Sequence, residues 1–357
     1  MLCEMKELCL EITNRCPMNC LHCSGNWHIE PPADLNSDVV FEVVDDFISL
    51  GGELLEVSGG EPLLHDELYD ILSYSKSKNL EVRLYTSGVR DDSWIDPPKA
   101  NELKKTGTDK VIFNLEGATA ETHDSITRRL GSFEKALNSI VNVKSFGMWA
   151  GIHFVPMKPN LHELKDFVKL CASLEVDEIG ILRLVPQGNG KTHRAELELS
   201  KQEFVGLIQD IVDLREGFPE VTIRTGCPLN FVSLISRGPV EQCKVGRSTC
   251  VVKPNGDVVP CPAFKQDKTR VMGNILRAPF AEIWRNSSGW NEFRRFDYRQ
   301  LDEPCSSCRH LRICAGRCIA QRILDSGDIY SAPDPMCPLI DTSQSMAWIS
   351  ASARRRQ

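Results

Sequence analysis

The sequence predicts an α/β chain, a partial (β/α)6 barrel of the TIM type followed by a small cysteine-rich domain. Three observations predict it. Short apolar runs alternate with amphipathic stretches from Glu7 to Leu184, as parallel βα units do. The chain has 15 cysteines, and most of them gather at its two ends. Between these regions lies a turn-rich stretch, Pro186-Gln187-Gly188-Asn189-Gly190.

Taken in order, the expected strands are Glu7–Ile12, Leu54–Ser58, Glu81–Tyr85, Lys110–Leu115, Gly151–Val155 and Glu178–Leu184. The helices between them are expected at Asp38–Leu50, Asp66–Ser77, Pro98–Lys105, Ser132–Phe146 and Leu161–Leu174. In the first helix Val40, Val43, Val44, Phe47 and Ile48 share one face at the 3.6-residue period. Asn36-Ser37-Asp38 offers capping chemistry before it, and Gly51-Gly52 closes it. About six such units suit a curved, partial barrel with its reactive loops at the strand C-terminal ends. A bridging helix follows at about Lys201–Arg215. Val251–Lys253 and Val258–Val259 then flank Pro254-Asn255-Gly256-Asp257, and Asn-Gly is a strong hairpin signal. The division reads as a barrel over 1–190, a bridge over 191–226, a cysteine-rich domain over 227–340 and a tail over 341–357.

Composition narrows the function. At 357 residues, 41% hydrophobic and 25% charged, the chain suits one large domain and one small one. Its net charge of −7 argues against nucleic acid as the main partner. It has no apolar run long enough for a membrane helix and no secretory pattern at Met1–Thr13, so a cytoplasmic location is expected. In such a reducing compartment clustered cysteines point to metal rather than disulfides. Cys3, Cys9 and Cys171 stand apart from the two clusters and read as ordinary buried thiols, with Cys227 a further candidate for that role. Arg354-Arg355-Arg356 reads as a solvated end.

The first cluster is Cys16-Pro-Met-Asn-Cys20-Leu-His-Cys23, directly after the first strand. Three thiolates on one loop hold three irons of a cubane, and the missing fourth ligand leaves one iron open. The alternatives are three plain buried thiols or a zinc loop, for which His28 is available as a fourth ligand in an unusual arrangement. The Cys16-x3-Cys20-x2-Cys23 spacing resembles the signature of the radical SAM superfamily. Ser58-Gly59-Gly60-Glu61-Pro62, ending the second strand, resembles that family's GGEP motif, whose backbone contacts the methionine amino group of SAM; read alone, its glycines fit a simple tight turn better.

The resemblance implies that the open iron chelates S-adenosylmethionine (SAM) through its amino and carboxylate groups. One-electron cleavage of SAM then yields a 5′-deoxyadenosyl radical, which takes a hydrogen atom from substrate. It places Ser58, Gly59, Gly60, Glu61 and Pro62 against the methionine end of SAM and His22 near adenine. By the same resemblance Ser87, Asn114 and Glu116 are cofactor contacts, although Asn114-Leu-Glu116 departs from the usual Ser-x-Asp. No catalytic residue beyond these is assigned. The electron would come from a donor such as flavodoxin or ferredoxin.

The C-terminal cysteines run Cys243, Cys250, Cys261, then Cys305-x2-Cys308-x5-Cys314-x3-Cys318, then Cys337. On their own they fit zinc as well as iron–sulfur. Their spacing resembles the SPASM extension of radical SAM enzymes, which implies two auxiliary clusters and three [4Fe-4S] clusters in all. Carried over, the first auxiliary cluster takes Cys243, Cys261 and Cys318, with Cys250 preferred over Cys227 as fourth ligand. The second takes Cys305, Cys308, Cys314 and Cys337.

His123-Asp124-Ser125-Ile126, Gly131-Ser132-Phe133, Cys243-Lys-Val-Gly246-Arg247 and Phe280-Ala-Glu282-Ile283-Trp284 resemble the peptide-modifying and tetrapyrrole-modifying branches. The implied substrate is first a ribosomally made peptide and second a small molecule or tetrapyrrole. With 15 residues before Cys16, no fused peptide-recognition domain is expected, so a separate recognition protein is a candidate partner. A non-enzymatic zinc or electron-transfer protein is the remaining alternative, and the open three-cysteine site speaks against it. Arg183 and Gln187, at and beyond the sixth strand, are candidate substrate-facing groups.

Overall fold

Side-chain alternation along the strands shapes this molecule. The computed structural model describes residues 4–25, 27, 31–235 and 243–340, without the side chains of Cys227 and Asn230. Cys3, His28 and the tail from residue 341 lie outside the described residues. All six expected strands form: β1 Glu7–Glu11, β2 Leu54–Ser58, β3 Glu81–Thr86, β4 Lys110–Asn114, β5 Trp149–Phe154 and β6 Glu178–Ile181. The intervening helices are α1 Ser37–Ser49, α2 Leu68–Ser77, α3 Pro97–Lys105, α4 Ala120–Thr127, α5 Ser132–Ser145 and α6 Leu164–Ser173. In α1 the Asn36 side chain accepts from the Asp38 amide at 2.8 Å, and Val40, Val43, Val44 and Phe47 are buried. Residues Leu161–Glu163, expected in α6, form a separate 3-10 turn.

Besides α4, which was not expected, two features exceed the expectation. The bridging segment forms α7 Lys201–Gly217 and then a seventh parallel strand, β7 Thr222–Thr225, beside β6. On the opposite side β8 Thr249–Val252 pairs in parallel with β1, with Glu7 against Thr249 and Leu10 against Val252. Its hairpin partner β9 Asp257–Val259 and the short β10 Gly273–Asn274 extend the same sheet. The result is one ten-stranded sheet ordered β10-β9-β8-β1-β2-β3-β4-β5-β6-β7. The cysteine-rich region therefore begins as the edge of the barrel.

The helix-facing positions of the strands are apolar and buried: Leu8, Leu10, Leu55, Val57, Val82, Leu84, Val111, Phe113, Ile152 and Phe154. Each such side chain contributes roughly 1.5–3 kcal/mol on burial. The alternate positions face inward and are largely polar. Glu7, Glu11, Glu56, Arg83, Tyr85, Lys110, His153, Glu178 and Arg224 line a cavity of about 890 Å³. Parallel strands ordinarily bury both faces in apolar side chains, so a charged lumen marks a chamber rather than a packed core. Its charges are paired. Arg224 donates to Glu178 at 2.5 Å and to His153 Nε2 at 3.1 Å, and Tyr85 donates to Glu56 at 2.7 Å.

Two histidines, buried His123 and half-buried His153, make the fold sensitive to acid. Burial, reinforced by Arg224 and Arg83, pushes His153 down to about 3. Burial likewise pushes His123 down to about 4, although Glu116 and Asp124 pull upward. A base whose folded pKa is depressed loses stability as pH falls from its unfolded value toward its folded one. For His123, going from about pH 7.5 to about 5.5 costs about 1.4 kcal/mol. Anaerobic melts of His123→Gln over that range should show a shallower fall than the wild type. Equal slopes would show that His123 titrates normally.

Candidate metal and cofactor site

The loop from Thr13 to Cys23 is held from three sides by backbone hydrogen bonds. From the β2 turn, the Gly60 amide donates to the Thr13 carbonyl at 2.6 Å and the Glu61 amide to that of Arg15 at 2.8 Å. This approach needs the glycines. A Cβ on Gly59 would lie 2.5 Å from the Thr13 oxygen, and one on Gly60 would lie 2.4 Å from the Arg15 oxygen. On the second side, the end of α4 accepts from the loop, Leu21 N to Ile126 O at 2.9 Å and Asn19 N to Thr127 O at 3.2 Å. Arg129 donates to the Pro17 carbonyl at 2.7 Å. Asp124 fixes the start of α5 through the Gly131 and Phe133 amides and the Ser132 hydroxyl.

The third clamp is the stretch read from sequence as a plain turn. Asn189 Nδ2 donates to Asn19 Oδ1 at 2.8 Å and to the Cys20 carbonyl at 3.0 Å. The Gly190 amide donates to the Cys23 carbonyl at 3.1 Å. A Cβ on Gly188, whose φ is +52°, would meet the oxygens of Gly25, Ser24 and Cys23 at 2.6–2.9 Å. Only its Gly content signalled this role.

Cys16, Cys20 and Cys23 all line a cavity of about 290 Å³, with Ser58, Gly59, Gly60, Ser87 and Asn114 at the strand ends opposite. Burial pushes the Cys16 thiol up to about 12 and Cys20 well above its ordinary value, and neighbouring thiols add to both. Such a trio is stable either protonated or with metal cations to balance the thiolates. That fits the chemistry of an iron–sulfur site. Among the described residues, no three His, Cys, Asp or Glu side chains stand close enough to hold one metal ion.

His22 also lines this cavity. Its Nε2 lies 3.2 Å from Glu116 Oε1, and its buried Nδ1 has no hydrogen-bond partner among the described residues. Burial works against its charge, but the Glu116 carboxylate wins and raises its pKa. Glu116 Oε2 accepts from the Val155 amide at 3.0 Å. Glu61 and Pro62, expected among the cofactor contacts, do not line the cavity. Glu61 is fully buried and accepts from Thr86 Oγ1 at 2.5 Å, from the Ser87 amide at 2.7 Å, from the Ser87 hydroxyl and from the Leu63 amide at 3.1 Å. It ties β2 to β3 and presents Ser87 to the cavity. Arg183 lines the cavity too, whereas Gln187 is buried with its Oε1 unpartnered among the described residues.

The thiol cavity adjoins the barrel chamber, and both are lined by Ser58, Tyr85, Leu182, Pro262 and Lys265. Lys265 follows Cys261, ion-pairs with Glu11 and lies over the Trp27 ring at 5.6 Å. Cys9, expected to be an ordinary buried thiol, lines the chamber, while Cys171 is packed into α6.

In the C-terminal region Cys243, Cys261 and Cys318 come together. Burial pushes Cys261 up, and Cys318 and Cys243 add to it. Cys305, Cys314 and Cys337 form a second group by the same electrostatic evidence, and the Cys308 amide donates to the Cys305 carbonyl at 3.0 Å. Buried Arg322 reaches Cys305 Sγ at 3.8 Å from α8, Ile319–Ser326. Cys250 does not join either group, which corrects its expected place as fourth ligand. It sits within β8 opposite Leu8, so the pleat turns it to the helix side, where Arg294 is the charged group that acts on it.

Comparisons agree with this geometry. The family described as the radical SAM superfamily matches residues 10–171, and the iron-sulfur cluster-binding domain SPASM matches 243–309. The mycofactocin maturase MftC of Mycobacterium tuberculosis is 30% identical, over 92% of this chain and 82% of that protein. The AdoMet-dependent heme synthase of Nitratidesulfovibrio vulgaris is 25% identical, over 93% of this chain and 92% of that protein. The crystal structure of Streptococcus suis SuiB bound to precursor peptide SuiA shares the fold, with a TM-score of 0.75 at 15% identity, covering 94% of this chain and 76% of that one. No helix among the described residues is long and apolar enough to cross a membrane. The chain thus belongs to the radical SAM superfamily, as an enzyme built for a [4Fe-4S] cluster and SAM that carries further iron–sulfur clusters in a SPASM domain.

Proposed function

We propose that this enzyme modifies a ribosomally made peptide, taking a hydrogen atom from it with the radical that SAM supplies. The observation that carries this reading is the charged chamber of about 890 Å³ opening beside the thiol cavity. It is large and polar enough for several residues of an extended chain. The MftC relative, named a maturase, and SuiB, solved with a precursor peptide, support it. The heme synthase relative favours a second reading, a tetrapyrrole substrate.

In this reading Cys16, Cys20 and Cys23 hold the SAM cluster. Gly59, Gly60, Ser87 and Asn114 receive SAM, and the His22–Glu116 pair closes that wall. Bound SAM supplies the 5′-deoxyadenosyl radical, and the chain's part is to orient substrate and exclude water. Cys243, Cys261 and Cys318 hold one auxiliary cluster, and Cys305, Cys308, Cys314 and Cys337 another. Cys227, at the start of the 3-10 turn Cys227–Leu234, becomes the proposed fourth ligand of the first. A flavodoxin or ferredoxin would deliver the electron, and a separate protein would present the peptide.

The test starts from anaerobically reconstituted enzyme. Three cubanes require roughly 12 irons and about 12 sulfides per chain. Cys227→Ala should remove one auxiliary signal, and Cys250→Ala should leave both. Holoenzyme, SAM and reductant are then supplied with short peptides encoded beside its gene or with tetrapyrrole carboxylic acids. A mass change in a peptide, matched by 5′-deoxyadenosine, is expected. Turnover of the tetrapyrroles alone would replace the peptide reading, and zinc in the C-terminal sites would end the auxiliary assignment.

A further inference from the structure

We propose that Arg183 anchors a carboxylate of the substrate inside the thiol-lined cavity. This rests on the reading that substrate enters there, but not on the substrate being a peptide. Arg183 lies two residues past the end of β6 and lines the cavity, yet is only 9% exposed. Its Nη1 donates to both oxygens of Asp334, at 2.8 and 3.0 Å. Its Nη2 is buried and has no hydrogen-bond partner among the described residues. The Phe204 ring covers one side of the guanidinium at 5.4 Å. A buried donor is seldom left unpaired unless a ligand completes it.

The direction of charge favours an anion. Asp334 belongs to the cysteine-rich region, three residues before Cys337. Its Oδ1 also accepts from the Met336 amide at 2.9 Å. Asp334 is held by its own backbone on one side, while Arg183 lines the cavity. A guanidinium presents its N–H groups in a rigid plane that matches a carboxylate. With Nη1 committed to Asp334, Nη2 is the donor left for an incoming oxygen. Two carboxylates could arrive: one from the substrate, or the methionine end of SAM. The strand ends and the open iron already receive SAM in the family arrangement, so the structure assigns Arg183 to the substrate.

The test uses the reconstituted holoenzyme saturated with SAM and the probes ¹³C-acetate and acetamide, followed by NMR line broadening. Acetate should bind in the millimolar range and acetamide should not. Arg183→Gln should weaken acetate by about tenfold or more and leave SAM affinity within about twofold. The double variant Arg183→Gln/Asp334→Asn replaces the buried pair with neutral groups of similar size, and it should give the same loss if the single variant folds poorly. Undiminished acetate binding in these variants would overturn the proposal. So would equal binding of acetamide, which points to a neutral carbonyl, or a loss of SAM affinity with acetate unchanged, which points to the SAM carboxylate. None of these readouts depends on peptide turnover, so failure of the peptide reading is scored separately by the mass assay.

Discussion

Enzyme in which Cys16, Cys20 and Cys23 are all alanine is expected to make no 5′-deoxyadenosine and to hold about four fewer irons per chain. It should nonetheless stay folded. The loop is fixed by backbone and Asn189 bonds, none of which uses a thiol. All three cysteines are half-buried, so truncation opens no enclosed core cavity. Spectra of the auxiliary clusters should persist, since Cys243, Cys261 and Cys318 lie in a separate group. Deoxyadenosine formed with dithionite at near wild-type rate would contradict the assignment of this loop to SAM cleavage.

Glu61→Ala should be the most damaging single substitution outside the cysteines. It leaves the Thr86 hydroxyl, the Ser87 amide and hydroxyl and the Leu63 amide without their acceptor. At about 1–3 kcal/mol for each of the three buried donors stranded, with the Ser87 hydroxyl free to turn, a loss of about 3–9 kcal/mol is expected. SAM affinity should fall by about tenfold or more, because Gly60 and Ser87 are walls of its cavity. Glu61→Gln should fall between the two, since its amide keeps one acceptor but turns N–H groups toward Ser87. Chemical denaturation and equilibrium SAM binding, both anaerobic, measure the two effects. Weaker SAM binding with unchanged stability would mean that the carboxylate meets the ligand directly.

The barrel was legible because its helix-facing residues follow clear periods. Val40, Val43, Val44 and Phe47 announce α1, and every expected strand lies within three residues of the one observed. The cysteine spacing marked both metal regions. Pairing across long separations was hidden. Nothing local tells that Thr249–Val252 lies beside β1, or that Cys250 is thereby turned away from its neighbours. Helix α4 was missed because only His123, Ile126 and Thr127 bury a face and the rest is polar. Its function is carried by carbonyls, which sequence does not display. The same holds for Gly188, whose partners are three peptide oxygens. The Glu61 carboxylate turns away from the cavity to Thr86 and Ser87, because a motif names a residue without saying which way its side chain points.

The parallel pairing of β8 with β1 has a consequence for the order of events during synthesis. Glu7 waits for Thr249, a separation of 249 − 7 = 242 residues. At ~5–20 residues per second, β1 is made roughly 12–50 seconds before its outer partner exists. Until then its outer row of amides and carbonyls is an open strand edge, able to template pairing with another chain. Partners this distant also slow the closing step once the chain is complete. Cys243 and Cys261, proposed above as cluster ligands, flank the strand that caps this edge, so cells short of iron should accumulate the protein as aggregate rather than as folded apoprotein. The yield of soluble protein against iron supply, read beside a Cys243→Ala variant, measures it.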